Sequence, residues 1–163
     1  RPLGSAPTLK VTHHTFRPPR RRKAMTTAII ASIILIAASV TLHYQAMIWT
    51  RKALSGSQLK LRSGVLIGMG AMVAVQMISV TFYAGAYLAL EHGLGIGRLT
   101  GEIEGTFIDQ FYFSLMSYTT LGVGDIYPLG PLRIVSGIEA LNGFALIGWS
   151  ASFAYTLMRN GWG

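Results

Sequence analysis

Polar and charged segments separate three long apolar stretches, at residues 25–49, 65–90 and 132–158. Each reaches or exceeds the ~20 residues that an α-helix needs to cross a bilayer. The first has a Leu/Ile/Ala centre and a wetter end at His43, Tyr44 and Gln45; the second carries Gln76, Ser79 and Thr81. Between the second and third lies a fourth apolar piece, residues 107–118, too short to span and too apolar for a solvated loop. A short helix that dips into the membrane and returns as extended chain is permitted where other protein covers it. The pattern predicts an all-α membrane protein with three transmembrane helices and one re-entrant helix.

Composition agrees with that class. The chain is 51% hydrophobic and 12% charged, against roughly 25% charged in ordinary soluble domains. It has no Cys, which excludes disulfides and thiolate metal sites, and its 163 residues suit one compact unit. The net charge of +8 matters less than its distribution. Five of the six acids (Glu91, Glu102, Glu104, Asp109, Asp125) fall between the second span and residue 125, whereas the loop between spans one and two holds Arg51, Lys52, Lys60 and Arg62. Basic loops stay cytoplasmic, so the acidic region is expected outside.

That orientation puts the N-terminus outside, yet residues 17–23 hold five basic side chains. Three explanations are open. Leu3-Gly4-Ser5 resembles a protease-cleavage scar, which would make part of residues 1–24 vector-derived and Met25 the native start. Alternatively, the first helix lies along the cytoplasmic surface or fails to cross. In the third, a basic tail sits outside, overruled by stronger downstream signals. A signal peptide fits poorly, because no small-x-small site follows Val40.

After the short apolar piece the chain reads Thr119-Thr120-Leu121-Gly122-Val123-Gly124-Asp125. Placed between an aromatic run and a long apolar segment, this resembles the selectivity filter of the potassium-channel superfamily, Thr-Val-Gly-Tyr-Gly-Asp. Stripping water from a cation needs a ring of oxygens, here backbone carbonyls plus a Thr hydroxyl. Alternate glycines permit the dihedrals that turn successive carbonyls the same way. Further on, Arg133 followed by Glu139-Ala140-Leu141-Asn142-Gly143, then Gly148-Trp149-Ser150, is similar to small bacterial ion channel family proteins with one pore loop and an extra N-terminal helix.

The resemblance implies a homotetramer, one filter strand per subunit, in a bacterial inner membrane, passing K⁺ and with no cofactor. It implies that Thr120, Leu121, Gly122, Val123 and Gly124 form the ion-binding ladder, with Thr120 supplying the innermost site through hydroxyl and carbonyl. Thr119, Asp125, Tyr112, Phe113 and Glu139 would support the filter. The chain then divides into a basic tail (1–24), an extra helix (25–49), a cytoplasmic loop (50–63), a pore module (64–158) and a short tail (159–163). Within the module, the outer helix takes 64–90, the pore helix 107–118, the filter 119–125 and the inner helix 131–158.

Two positions depart from the family pattern. Val123 stands where a Tyr usually ties the filter to aromatics behind it, and Tyr112 and Phe113 sit where those aromatics would be. Met116 replaces a pore-helix carboxylate that partners the filter Asp, so Asp125 is expected to lack its local partner. A weakly selective monovalent cation channel, also passing Na⁺, is therefore the alternative to a K⁺ channel. A non-conducting scaffold with a degenerate filter is another. A transporter would need repeated halves or broken helices around a midplane site, and neither is present.

Glu139 lies two turns into the third span, where a carboxylate is costly unless protonated or paired. Three readings stand: a bond behind the filter to Ser117, Tyr118 or Thr119; a ring of four around the cavity; or a packing bond to Ser79, Thr81 or Gln76. Gly143 aligns with the family's gating-hinge glycine, but small residues also let helices approach closely. Asn142 and Ser150 suit interhelical hydrogen bonds. Phe144, Ile147 and Ala151 recur at helical spacing and line either the cavity or the lipid face, since a helix apolar all round shows no face.

His13-His14 reads as incidental in its Pro/Arg-rich tail. His43 and His92 read as interfacial polar residues, with pH sensing the alternative. The run at residues 20–23 suits anionic membrane lipids if it is native and cytoplasmic. No fold or aromatic interleaving supports nucleic-acid binding. No span carries the Arg ladder of a voltage sensor, and no catalytic constellation points to an enzyme.

Overall fold

The computed structural model describes residues 21–55 and 61–160. The expectations for Leu3-Gly4-Ser5, His13-His14, Arg17, Arg20, Lys60 and residues 161–163 lie outside the described residues. The described chain forms helix α1 (Arg21–Ser55), helix α2 (Leu61–Leu88), strand β1 (Arg98–Gly101), helix α3 (Phe107–Tyr118), strand β2 (Ile126–Leu129) and helix α4 (Leu132–Asn160). The end of α2 widens into a π-turn at Ala89–Gly93, where the Leu94 amide donates to the Ala89 carbonyl at 3.1 Å. Among the described residues, three segments are long and apolar enough to cross a membrane: Arg21–Ser55, Arg62–Gly93 and Leu132–Arg159. The protein is an all-α membrane protein.

The ribbon is the one addition to that architecture that the apolar pattern did not contain. β1 and β2 pair antiparallel, Arg98 opposite Leu129 and Gly101 opposite Ile126. Strands of four residues are too short to show an alternating pattern.

α1 buries a narrow stripe of small or polar residues: Ala24, Ala28, Ser32, Ser39 and His43. Its start packs into the cluster that holds Ile96, Leu99, Leu132 and Val135. Near its other end, Thr50 and Leu54 reach within 3.8 Å of the space a Gly68 side chain would occupy. The helix therefore runs the length of the bundle, antiparallel to α2 and parallel to α4, with its start beside the ribbon. Arg21, Arg22 and Lys23 stand at the same end as the five clustered acids.

Side chains along the bundle axis join in polar tiers rather than in a purely apolar core. Asn142 donates through Nδ2 to Ser39 Oγ at 2.8 Å and to Tyr83 Oη at 3.3 Å. Deeper along α4, Ser150 Oγ accepts from Gln76 Nε2 at 2.8 Å and lies 3.2 Å from His43 Nε2. In hydrocarbon such interhelical bonds are worth ~0.6–2 kcal/mol each, and here they attach both α1 and α2 to α4. His43 is fully buried against Trp149, ring centroids 5.7 Å apart, and not interfacial as its sequence position suggested. The polar run His43-Tyr44-Gln45 made the sequence look like a span end. His92, in the π-turn, is exposed.

Candidate functional site

α3 is a helix with a built start and a built end. Asp109 Oδ2 accepts the amides of Thr106 at 2.8 Å and Glu104 at 3.1 Å, satisfying donors that a helix start leaves free. From the ribbon α3 descends until Tyr118 meets Gly143, in the middle third of α4. The chain then turns back and climbs through residues 119–125 to Ile126. The last carbonyls of α3 are taken up by this returning segment. Leu115 O accepts the Thr119 amide at 3.1 Å and its hydroxyl at 2.7 Å; Ser117 O accepts Thr120 N at 3.0 Å. Met116 O accepts both Leu121 N at 3.0 Å and Gly122 N at 3.2 Å.

The climbing segment has an alternating backbone. φ is positive at Thr120 (60°), Gly122 (54°) and Gly124 (92°), and not at Leu121 or Val123 between them. Alternation of this kind turns successive carbonyls toward one side instead of to opposite sides. Two of the three positions are glycine, the residue that adopts this region freely. Thr120 is the one non-glycine residue with positive φ among those described. A β-branched residue there costs of order 1–3 kcal/mol, a strain typically found where function requires it. Among the described residues no three His, Cys, Asp or Glu side chains gather into a metal site.

Behind the segment is a cavity of about 220 Å³ lined by Tyr112, Met116, Ser117, Val123, Asp125 and Ser136. At ~30 Å³ per water in the liquid, it has room for several. Asp125 Oδ1 accepts the Ile126 amide at 3.0 Å, and hydrogen bonding to the Asp125 carboxylate, ahead of burial, holds the Tyr112 phenol above its ordinary value. Tyr112 precedes Met116 by four residues and so shares its helix face, and its longer side chain reaches the aspartate that Met116 cannot. Phe113, in contrast, is buried edge-on against Tyr87, with centroids 5.1 Å apart at 76°.

Glu139 is fully buried and does not line an open cavity. Its Oε1 accepts from Ser114 Oγ at 2.5 Å and its Oε2 from Tyr87 Oη at 2.5 Å. Ser114 also lies 2.9 Å from the Val80 carbonyl. None of the partners named from the sequence is used; the carboxylate joins α2, α3 and α4 one turn of α3 higher. Tyr87 and Ser114 were missed. A buried acid needs hydroxyl donors on neighbouring helices, and Tyr83 and Tyr87 on the second span carried that signal. Beside Glu139, Ser117 and Ser136 bond at 3.0 Å.

At Gly143 an added Cβ would stand 2.1 Å from the Tyr118 carbonyl oxygen, and α4 runs through the position without a break. The glycine thus serves close approach, not a visible bend. Phe144, Ile147 and Ala151 are exposed on the face of α4 turned away from the other helices, with Phe144 at 70%.

Comparison with protein families gives one finding that decides the class: the ion channel family model matches residues 71–160. The chain belongs to the ion channel family. It is a member of the potassium-channel superfamily, an ion-transporting membrane channel and not an enzyme. The match begins within α2 and covers α3, residues 119–125 and α4, so α1 lies outside it. Comparison of the channel with curated proteins and with solved structures yields no match.

Proposed function

We propose that the channel is a homotetramer that passes K⁺ passively, through a filter formed by residues 119–125 of four subunits around one axis. The observation that carries this reading is the alternating φ at Thr120, Gly122 and Gly124. It supports a ladder of carbonyls from Thr120, Leu121, Gly122 and Val123, closed by Gly124, with the Thr120 hydroxyl at the inner end. Stacked oxygens of this kind replace the hydration shell of a cation. α3 is then the pore helix, and its C-terminal end, negative by the helix dipole, points toward the inner end of the ladder.

Exposure supports the assembly. Leu121 and Val123 are 66% and 59% exposed in a single subunit, and Phe144 on α4 is bare as well. Apolar patches of this kind mark interaction surfaces, and a four-fold arrangement would cover the filter flanks while leaving Phe144, Ile147 and Ala151 toward the cavity. Resemblance to small bacterial channels supports an inner-membrane location, and the acidic ribbon end supports a filter mouth facing outward.

The cavity behind Val123 favours a second reading, a weakly selective monovalent cation channel, because the side chain that would fill it is absent. The reversal potential of reconstituted channels, with K⁺ on one side and Na⁺ on the other, separates the two. A value near the K⁺ equilibrium potential supports K⁺ selectivity. Clear current reversing near zero supports the second reading, and no current at all supports a scaffold.

A further inference from the structure

The outer end of residues 119–125 is held by backbone, at a place where the expected side-chain tie is missing. Beyond the last paired residues of the ribbon, the Glu102 amide donates to the Asp125 carbonyl at 3.1 Å. Gly101 is required at that contact twice over. Its φ is +125°, and an added Cβ would stand 1.9 Å from the Asp125 oxygen. β1 is itself anchored: Leu99 is buried in the core, and its amide donates to Glu91 Oε1 at 3.2 Å. Glu91 belongs to the π-turn that ends α2. A continuous chain of contacts therefore leads from the end of α2, through Glu91, Leu99 and Gly101, to Asp125.

We infer that the β1–β2 ribbon is a clasp that fixes the outer end of the filter, with Glu91 and Gly101 as positioning residues that take over the role left by Val123. This rests on residues 119–125 being the filter. With its carbonyl engaged by Glu102, Asp125 is the first residue whose oxygen is withheld from the ion ladder. The ladder is then pinned at both ends by backbone: below by Met116 and Ser117, above by β1. Neither pin uses the side chain at position 123, so carbonyl geometry survives its change. Because the upper pin runs through Glu91, the outer mouth is coupled to the end of α2.

The test uses full-length channel in bilayers and three variants: Gly101→Ala, Glu91→Ala and Glu91→Gln. Two quantities are read, the K⁺/Na⁺ permeability ratio and hydrogen–deuterium exchange of the peptide spanning residues 119–129. Glu91→Ala removes the acceptor for Leu99, and we expect exchange to quicken and the ratio to fall by roughly fivefold each, the worth of about one hydrogen bond. Glu91→Gln keeps an Oε1 acceptor and is expected to match the parent channel. Gly101→Ala should be more severe; should it fail to assemble, the Glu91 pair still decides. Parent-like exchange and ratio in Glu91→Ala overturn the clasp. So does equal damage from Glu91→Gln, which would assign the effect to charge. If the parent channel itself does not discriminate K⁺ from Na⁺, the K⁺ reading falls, and exchange alone decides the clasp.

Discussion

The α-carbon of Gly143 in α4 rests on the carbonyl of Tyr118 at the end of α3, leaving 2.1 Å where a side chain would begin. Both partners at that contact are backbone, so neither can step aside by changing rotamer. Gly143→Ala should therefore push the end of α3, and with it the start of residues 119–125, away from α4. Overpacking at such a point costs ~1–3 kcal/mol. A fall in melting temperature together with a loss of ion discrimination is expected. A glycine used as a hinge would behave differently, changing open probability while leaving the melting temperature unmoved.

Glu139 holds two hydroxyl donors, and the two depend on it unequally. Ser114 has the Val80 carbonyl at 2.9 Å as a second acceptor, whereas Tyr87 has the carboxylate at 2.5 Å. Replacing Glu139 by Leu should strand the buried Tyr87 hydroxyl, at ~1–3 kcal/mol. Removing that hydroxyl as well, in Glu139→Leu/Tyr87→Phe, should recover much of the loss. Thermal unfolding of the four proteins in the cycle measures this coupling. Additive losses would mean that the pair contributes nothing of its own.

The three spans and the short helix were legible because each is an apolar run of decisive length. The alternating backbone at 120–124 was legible because glycine at alternate positions has few other uses. What connects the elements was not. Glu139 announced itself as a buried acid, but its partners depend on the rotational setting of α2 and α3, and a helix apolar on all sides carries no such information. His43 was misread because burial came from helix packing and not from the residues flanking it in sequence. Tyr112 was placed near the filter, but its bond to Asp125 needs the climb of the chain after α3, which fixes how far a side chain must reach. The ribbon left no trace beyond Gly101 and Gly130.

Tyr112 and Asp125 give a pH signature. The hydrogen bond to the Asp125 carboxylate, more than burial, holds the phenol above its ordinary value of 10.0. A raised value means that the fold prefers the protonated phenol. Its contribution is fully present below 10.0 and is lost as pH climbs through the higher folded value. K⁺/Na⁺ discrimination should then show no Tyr112-dependent change from neutrality up to that point. Tyr112→Phe removes the phenol at every pH, leaving Asp125 only the Ile126 amide at 3.0 Å, and should lower the ratio at neutral pH. Identical reversal potentials for parent and Tyr112→Phe channels would rule out a supporting role for this bond.

Val123 is the position at which gain, not loss, is expected. Its side chain borders the 220 Å³ cavity, a roomy and largely apolar space edged by the hydroxyls of Tyr112, Ser117 and Ser136. A larger side chain placed into a packed core usually destabilises, but here the volume is already open and hydroxyl partners already line it. Val123→Tyr should fill that cavity, set a phenol beside Ser117 or Ser136, and stiffen the middle of the ladder between its two backbone pins. The expected result is a higher K⁺/Na⁺ permeability ratio with no loss of melting temperature. The reverse outcome, a lower ratio with a lower melting temperature, would mean that the filter is held better with this space open than with a side chain in it.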